Sequence, residues 1–200
     1  MKKLLLFILV VNGLTFATTA IGVDLLLNVS NDSRNPDGNF DRKRTELNTH
    51  LYPSIMIMPA DRFELVPRAG FYVTHFSQTN RNLNTGAETT SDGSTYGVGA
   101  GCGFYFRLVE ESVFRLSLGP DAELGFGWDS GRDDYWSFNT TASMPVNFDF
   151  LITGNFFIRM SPRLASVTYT HDEDPGYDHN RIEFNVQSLW QPTFGFYWNF

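Results

Sequence analysis

The stretch Arg181-Ile182-Glu183-Phe184-Asn185-Val186-Gln187-Ser188-Leu189-Trp190-Gln191-Pro192-Thr193-Phe194-Gly195-Phe196-Tyr197-Trp198-Asn199-Phe200 decides the fold. Its even positions are nearly all aliphatic or aromatic: Ile182, Phe184, Val186, Trp190, Phe194, Phe196, Trp198 and Phe200. Its odd positions are mostly polar or small, among them Arg181, Glu183, Asn185, Gln187, Gln191, Thr193, Gly195 and Asn199. A strand sends successive side chains to opposite faces, so a period of two gives one apolar face and one polar face.

The pattern recurs upstream. Phe114, Leu116, Leu118, Ala122, Leu124, Phe126 and Trp128 alternate with Arg115, Ser117, Gly119, Asp121, Glu123, Gly125 and Gly127. Trp136, Phe138, Ala142, Met144, Val146, Phe148 and Phe150 alternate with Ser137, Asn139, Ser143, Asn147 and Asp149. Tyr96, Val98, Ala100, Cys102, Phe104, Phe106 and Leu108 alternate with Gly97, Gly99, Gly101, Gly103, Tyr105 and Arg107. Residues 21–29, 44–58, 63–77 and 156–170 follow the same rule less cleanly. A soluble sandwich also alternates, but its strands run to about five or six residues, and here several reach about 14 or more. The apolar face carries Phe and Trp along its whole length, and charges sit in mid-strand on the other face. Lipid outside and a polar interior give that arrangement in a transmembrane β-barrel, and closure removes the unpaired backbone edges that lipid cannot satisfy. The expectation is an all-β, closed, eight-stranded antiparallel transmembrane barrel.

The connections agree with the count. Pro59-Ala60-Asp61-Arg62, Val109-Glu110-Glu111-Ser112 and Thr153-Gly154-Asn155 read as tight turns. Residues 30–43, 78–93, 129–134 and 171–180 read as longer polar loops. Three short turns alternate with four long loops, as periplasmic turns and external loops do in outer-membrane barrels. Pro53, Pro67, Pro120, Pro145, Pro162 and Pro192 fall inside strands a few residues from the turn end. Proline cannot donate to a ladder and marks edges or bulges, so a ring of bulges at one level is expected.

The N-terminus carries a different signal. Met1-Lys2-Lys3 precedes an apolar run over residues 4–11 and then Ala17-Thr18-Thr19-Ala20. A basic start, a short apolar stretch and small residues describe a secretory signal peptide, and eight apolar residues are too few for a membrane helix. Cleavage after Ala20 is the first expectation and cleavage after Ala17 the second. That divides the chain into a signal peptide, 1–20, and a barrel domain, 21–200. The whole chain has 15 basic and 22 acidic residues. Removing 1–20 removes two lysines and no acid, which leaves 13 − 22 = −9. An acidic chain argues against nucleic acid as partner, because phosphate binding needs a basic face. The single Cys102 forms no internal disulfide.

With these segments in place the chain resembles the small outer-membrane barrels, the group that includes OmpX, OmpW and the OmpA membrane domain. The resemblance covers the whole of 21–200 and is sharpest at Phe194-Gly195-Phe196-Tyr197-Trp198-Asn199-Phe200. A terminal Phe with aromatics at alternate positions is similar to the signal read by the barrel-assembly machinery. The resemblance implies a place in the bacterial outer membrane, contact with its lipids, and a structural, adhesive, solute-passing or lipid-modifying role.

Three groups of residues are candidate sites. On the inward register, Asp24, Glu46, Glu64, Asp121, Glu123, Asp149 and Glu183 face Arg68, Arg107, Arg115, Arg159, Arg163 and Arg181. Arginine binds carboxylates with a planar fork, and eight-stranded barrels are filled by side chains. The expectation is a paired network that closes the lumen, with Tyr72, Tyr105 and Tyr197 turned inward and the glycines 97, 99, 101 and 103 leaving a groove for long side chains. Removing one partner, Arg163 for example, is expected to destabilise the barrel. The alternative is a charged constriction that passes ions. The loop His171-Asp172-Glu173-Asp174-Pro175-Gly176-Tyr177-Asp178-His179 has oxygen and imidazole ligands for a cation but no fixed motif spacing, and a solvated acidic loop is the preferred reading. His75 and Ser77, with Glu88 as orienting acid, form a base–nucleophile pair on the lipid-facing register, similar to the His-x-Ser-Asn of outer-membrane lipid A deacylases. Gln78 stands in place of the Asn, and the pair lies on the third strand rather than late in the chain. The expectation is therefore a non-enzymatic barrel without catalytic, cofactor or metal residues, which acts through its external loops. A lipid A hydrolase and a narrow solute pore are the alternatives.

Overall fold

The computed structural model describes residues 19–34, 40–129, 135–174 and 177–200. The proposed signal peptide up to residue 18 and the tips of three external loops lie outside the described residues. Nine strand segments follow in order: β1 (Thr19–Arg34), β2 (Phe40–Ala60), β3 (Phe63–Asn82), β4 (Glu88–Glu110), β5 (Phe114–Leu118), β6 (Asp121–Asp129), β7 (Trp136–Leu151), β8 (Phe156–Asp174) and β9 (Tyr177–Asn199). All neighbours pair antiparallel, and β5 and β6 are the two halves of one stave, both lying between β4 and β7. The ring of eight staves closes where β1 meets β9. No helix among the described residues is long and apolar enough to cross a membrane; this chain crosses with strands.

Burial reproduces the two faces. Val98, Phe104, Phe106, Leu124, Phe126 and Trp128 are exposed on the outside of the ring, while Tyr105, Arg107, Asp121 and Glu123 are buried inside it. An apolar exterior around a polar interior is the division a strand-built membrane protein requires. The strands extend beyond the sequence expectation, in which residues 78–93 form a loop. β3 and β4 continue outward as a hairpin whose turn lies between Asn82 and Glu88. Asn82 Oδ1 accepts from the amides of Asn84 at 2.9 Å and Thr85 at 3.2 Å, and Gly86 supplies the left-handed φ of 71° that the turn needs. β1, β2, β8 and β9 likewise run into the segments read as loops.

The prolines mark where the ladder changes. Pro120 splits the fifth stave; beside it a Cβ on Gly119 would run into the Phe104 carbonyl, so only glycine lets the two backbones meet there. A register shift follows Met144 at Pro145, and another lies between Ser161 and Arg163, around Pro162 and across from Pro192. The β2–β3 pairing passes from Leu51↔Phe71 to Ser54↔Arg68, skipping Pro53. Pro67 instead keeps its place opposite Cys102. The seam between β1 and β9 is short, from Ala20↔Asn199 to Leu25↔Phe194, and stops two residues C-terminal to Pro192. By comparison β1 pairs with β2 over its full length and β3 with β4 from Phe63 to Arg81.

Candidate functional site in the barrel lumen

Near the turn end, all eight staves send a buried side chain inward. Ala20, Met56, Val66, Tyr105, Ser117, Asp149, Phe157 and Tyr197 come from β1, β2, β3, β4, β5, β7, β8 and β9. The Phe157 and Tyr197 rings stack at 5.0 Å and 6°. Glu64 lies at the centre with no exposed surface. It accepts from Arg107 Nε at 2.5 Å on one oxygen and from Arg159 Nη2 at 2.6 Å on the other. Arg159 forks onto Asp149 at 2.7 and 2.8 Å, and Arg107 also reaches Glu110 at 2.8 Å. Two arginines and three acids from β3, β4, β7 and β8 form one connected cluster. Charges this deep persist only when paired, and here Arg159 Nη1 alone of that guanidinium is left without a hydrogen bond.

A second cluster lies further out. Arg68 binds Asp121 through both nitrogens at 2.7 and 2.5 Å and reaches Glu123 at 3.3 Å. Tyr105 donates to Asp121 and Tyr52 donates to Glu123 at 2.9 Å. His50 stands 3.7 Å from Glu123 and packs against the Tyr72 ring at 5.4 Å. Asp24 accepts from Tyr197 at 2.7 Å, and Ser54 donates to the same phenol at 3.2 Å. A cavity of about 40 Å³ lies among Asp24, His50, Tyr52, Arg68, Glu123 and Arg163, enough for roughly three water molecules. The fully buried layer separates it from the turn end.

The glycines of β4 hold these side chains as expected. A Cβ on Gly97 would collide with the Tyr72 ring, one on Gly99 with the Tyr52 hydroxyl, one on Gly103 with Tyr105, and one on Gly101 with the Ala122 carbonyl at 2.8 Å and with Arg68 at 3.1 Å. Gly97→Val therefore displaces a buried tyrosine. It is expected to lower stability by about 1–3 kcal/mol, as over-packing does, whereas Gly154→Val, in open space, changes little. Urea unfolding of the refolded variants checks both.

Several sequence expectations need correction. Glu46 pairs with Arg44 at 2.5 Å and Glu183 with Arg181 at 3.0 Å, both near the external end and both outside the lumen clusters. Arg163 is 30% exposed and only 3.7 Å from a Glu123 that other groups already hold, so it is a peripheral partner. The residues the sequence reading missed are His50 and Tyr52. Their signal was weak because β2 also turns Met56 inward, which blurs its alternation.

The structure does not assemble the hydrolase triad. His75 Nδ1 is 3.0 Å from Ser94 Oγ, and Ser77 faces Asp92 in the register. Glu88 pairs with Arg81, six residues beyond His75, or roughly 20 Å along a strand. In the acidic loop, His171 Nδ1 lies 3.0 Å from Asn180 Oδ1 and its ring packs on Trp136 at 5.0 Å. Asp172 accepts from Tyr135 at 3.2 Å, and part of that loop lies outside the described residues.

No protein-family model matches the chain, and no curated protein does. Among solved structures it is similar to the solution structure of the Escherichia coli outer membrane protein W, at 16% identity over 92% of this chain and 98% of that one, with a TM-score of 0.43. It is also similar to the β domain of the Bordetella autotransporter BrkA, at 8% identity over 92% and 99%, TM-score 0.28. The outer membrane protease OmpT of Escherichia coli follows, at 9% identity over 92% of each chain, TM-score 0.28. The barrel assignment rests on this chain's own strand pairing.

Proposed function

We propose that this chain is a structural protein of the bacterial outer membrane, closed along its lumen, that meets its partners through the strand hairpins standing outside the bilayer. The observation that carries this reading is the buried layer to which all eight staves contribute, with Glu64, Arg107, Arg159 and Asp149 locked together inside it. A path for ions would have to break pairs whose members are costly to leave alone in low dielectric. The non-catalytic part of the proposal is supported by the separation of Glu88 from His75.

Two further elements belong to the proposal. Export uses the segment before the barrel, with the cut after Ala20 or after Ala17. The pairing of Thr19 with Ile57, and the burial of Ala20, favour the alternative cut after Ala17, which keeps both residues in β1. N-terminal sequencing of the purified membrane form decides between the two. Recognition by the barrel-assembly machinery uses the aromatic end of β9. For the closed lumen, planar-bilayer recording of the refolded protein is expected to show no stable unitary conductance. Reproducible single-channel steps that change when Arg159 is replaced would establish a pore instead.

A further inference from the structure

The turn end of the barrel holds a second cavity, of about 330 Å³, outside the buried layer. That volume is within the range of small-molecule sites. Arg62, Arg107 and Arg115 line it from the β2–β3 turn, β4 and β5, together with Asp61, Glu110, Met56, Met58 and Ala20. Arg107 is committed to Glu64 and Glu110. Arg115 is not. Its Nε is buried without a hydrogen bond, 3.4 Å from the Glu110 carboxylate, and its guanidinium lies over the Phe157 ring at 5.5 Å. Buried donors without a hydrogen bond call for a reason, and among the described residues Arg159 Nη1 is another.

Arg62 adds an independent observation. It is the one non-glycine residue with a positive φ, 71°, among the described residues. Its carbonyl is fixed by the Arg107 amide at 2.7 Å. Glycine or asparagine suits that backbone better, so the position gives up backbone comfort and places a guanidinium at the cavity rim. Strain of this kind points to a use for the side chain.

We infer that this vestibule binds an organic carboxylate with a short aliphatic body, gripped by the guanidinium groups of Arg62 and Arg115. Its hydrocarbon part rests on Met56 and Met58. A planar carboxylate matches the guanidinium fork, and Asp61 and Glu110 in the same lining disfavour a more highly charged anion. The inference goes beyond the closed-lumen reading and does not depend on it, because the cavity lies on the far side of the buried layer.

The test is NMR of the refolded protein in micelles, following arginine Nε–H signals during titration with N-acetylleucine, its methyl ester and inorganic phosphate. The expected result is a saturating shift of the Arg115 Nε–H with N-acetylleucine and none with the ester. Arg62→Gly should weaken that binding at least tenfold while the urea midpoint stays the same or rises, since glycine relieves the backbone. Arg115→Gln should remove saturation. Equal response to the ester, or unchanged affinity in Arg62→Gly, would overturn the site. Saturation by phosphate without the carboxylate would overturn the ligand assignment. A conducting lumen would leave all of these readings as they are.

Discussion

Replacing Glu64 with alanine is expected to lower the unfolding free energy of the refolded barrel by about 3–5 kcal/mol, the range seen when one member of a buried ion cluster is removed. Among the described residues Glu64 is the one acid paired with both Arg107 and Arg159, and its loss leaves each with fewer acceptors in a water-poor layer. Asp149 still holds Arg159, and Glu110 still holds Arg107, so the variant should fold but unfold at lower urea. Glu183→Ala is the comparison. Its pair with Arg181 is 49% and 63% exposed, and surface pairs contribute about 0–1 kcal/mol. Equal effects from the two substitutions would show that the lumen cluster is not what holds the staves together.

Deleting Phe200 is expected to separate assembly from stability. The residue follows the end of β9 and is 78% exposed, so its removal takes away little packing. The refolded variant should show the same urea midpoint as the full chain. In cells, pulse-labelling should show export followed by periplasmic accumulation and degradation, because the aromatic terminus is what the assembly machinery is proposed to read. Normal barrel levels would refute that role. A large drop in refolded stability would mean that Phe200 is a structural residue after all.

Sequence periodicity found the staves where the lumen face is polar. β4, β6 and the outer half of β7 turn glycine, serine, asparagine or acid inward, so alternation is plain. β2 and β3 turn Met56 and Val66 inward beside the outward Ile55 and Leu65, and both faces then read as apolar. In β8 the register shift between Ser161 and Arg163 changes the phase. Phe157 and Arg159 point inward at odd positions, while the exposed Val167 and Tyr169, also odd, point outward. No count with a period of two can follow a strand through such a bulge.

The lumen charges were legible by type and face but not by partner. Pairing depends on the stagger of the staves, which sets which inward residues share a level. Glu64 and Arg159 are 95 positions apart, and nothing local in either strand predicts that they meet. The turn-end vestibule was not legible at all. Arg62 looks like an ordinary turn residue until its φ is known, and Arg115 reads as one more inward arginine.

The short seam between β1 and β9 has a consequence in time. A ring joined by many pairs elsewhere and by six here has one junction where little must be made or broken. During folding, the other staves can add in chain order as neighbours. The first and last strands must wait for the whole chain before they meet. The end of β9 thus stays unpaired on its β1 side longest, which is when an assembly factor could hold it. Under heat or force the same junction is where the wall should part first, with the ion clusters between more distant staves left to hold the opened sheet in a curve.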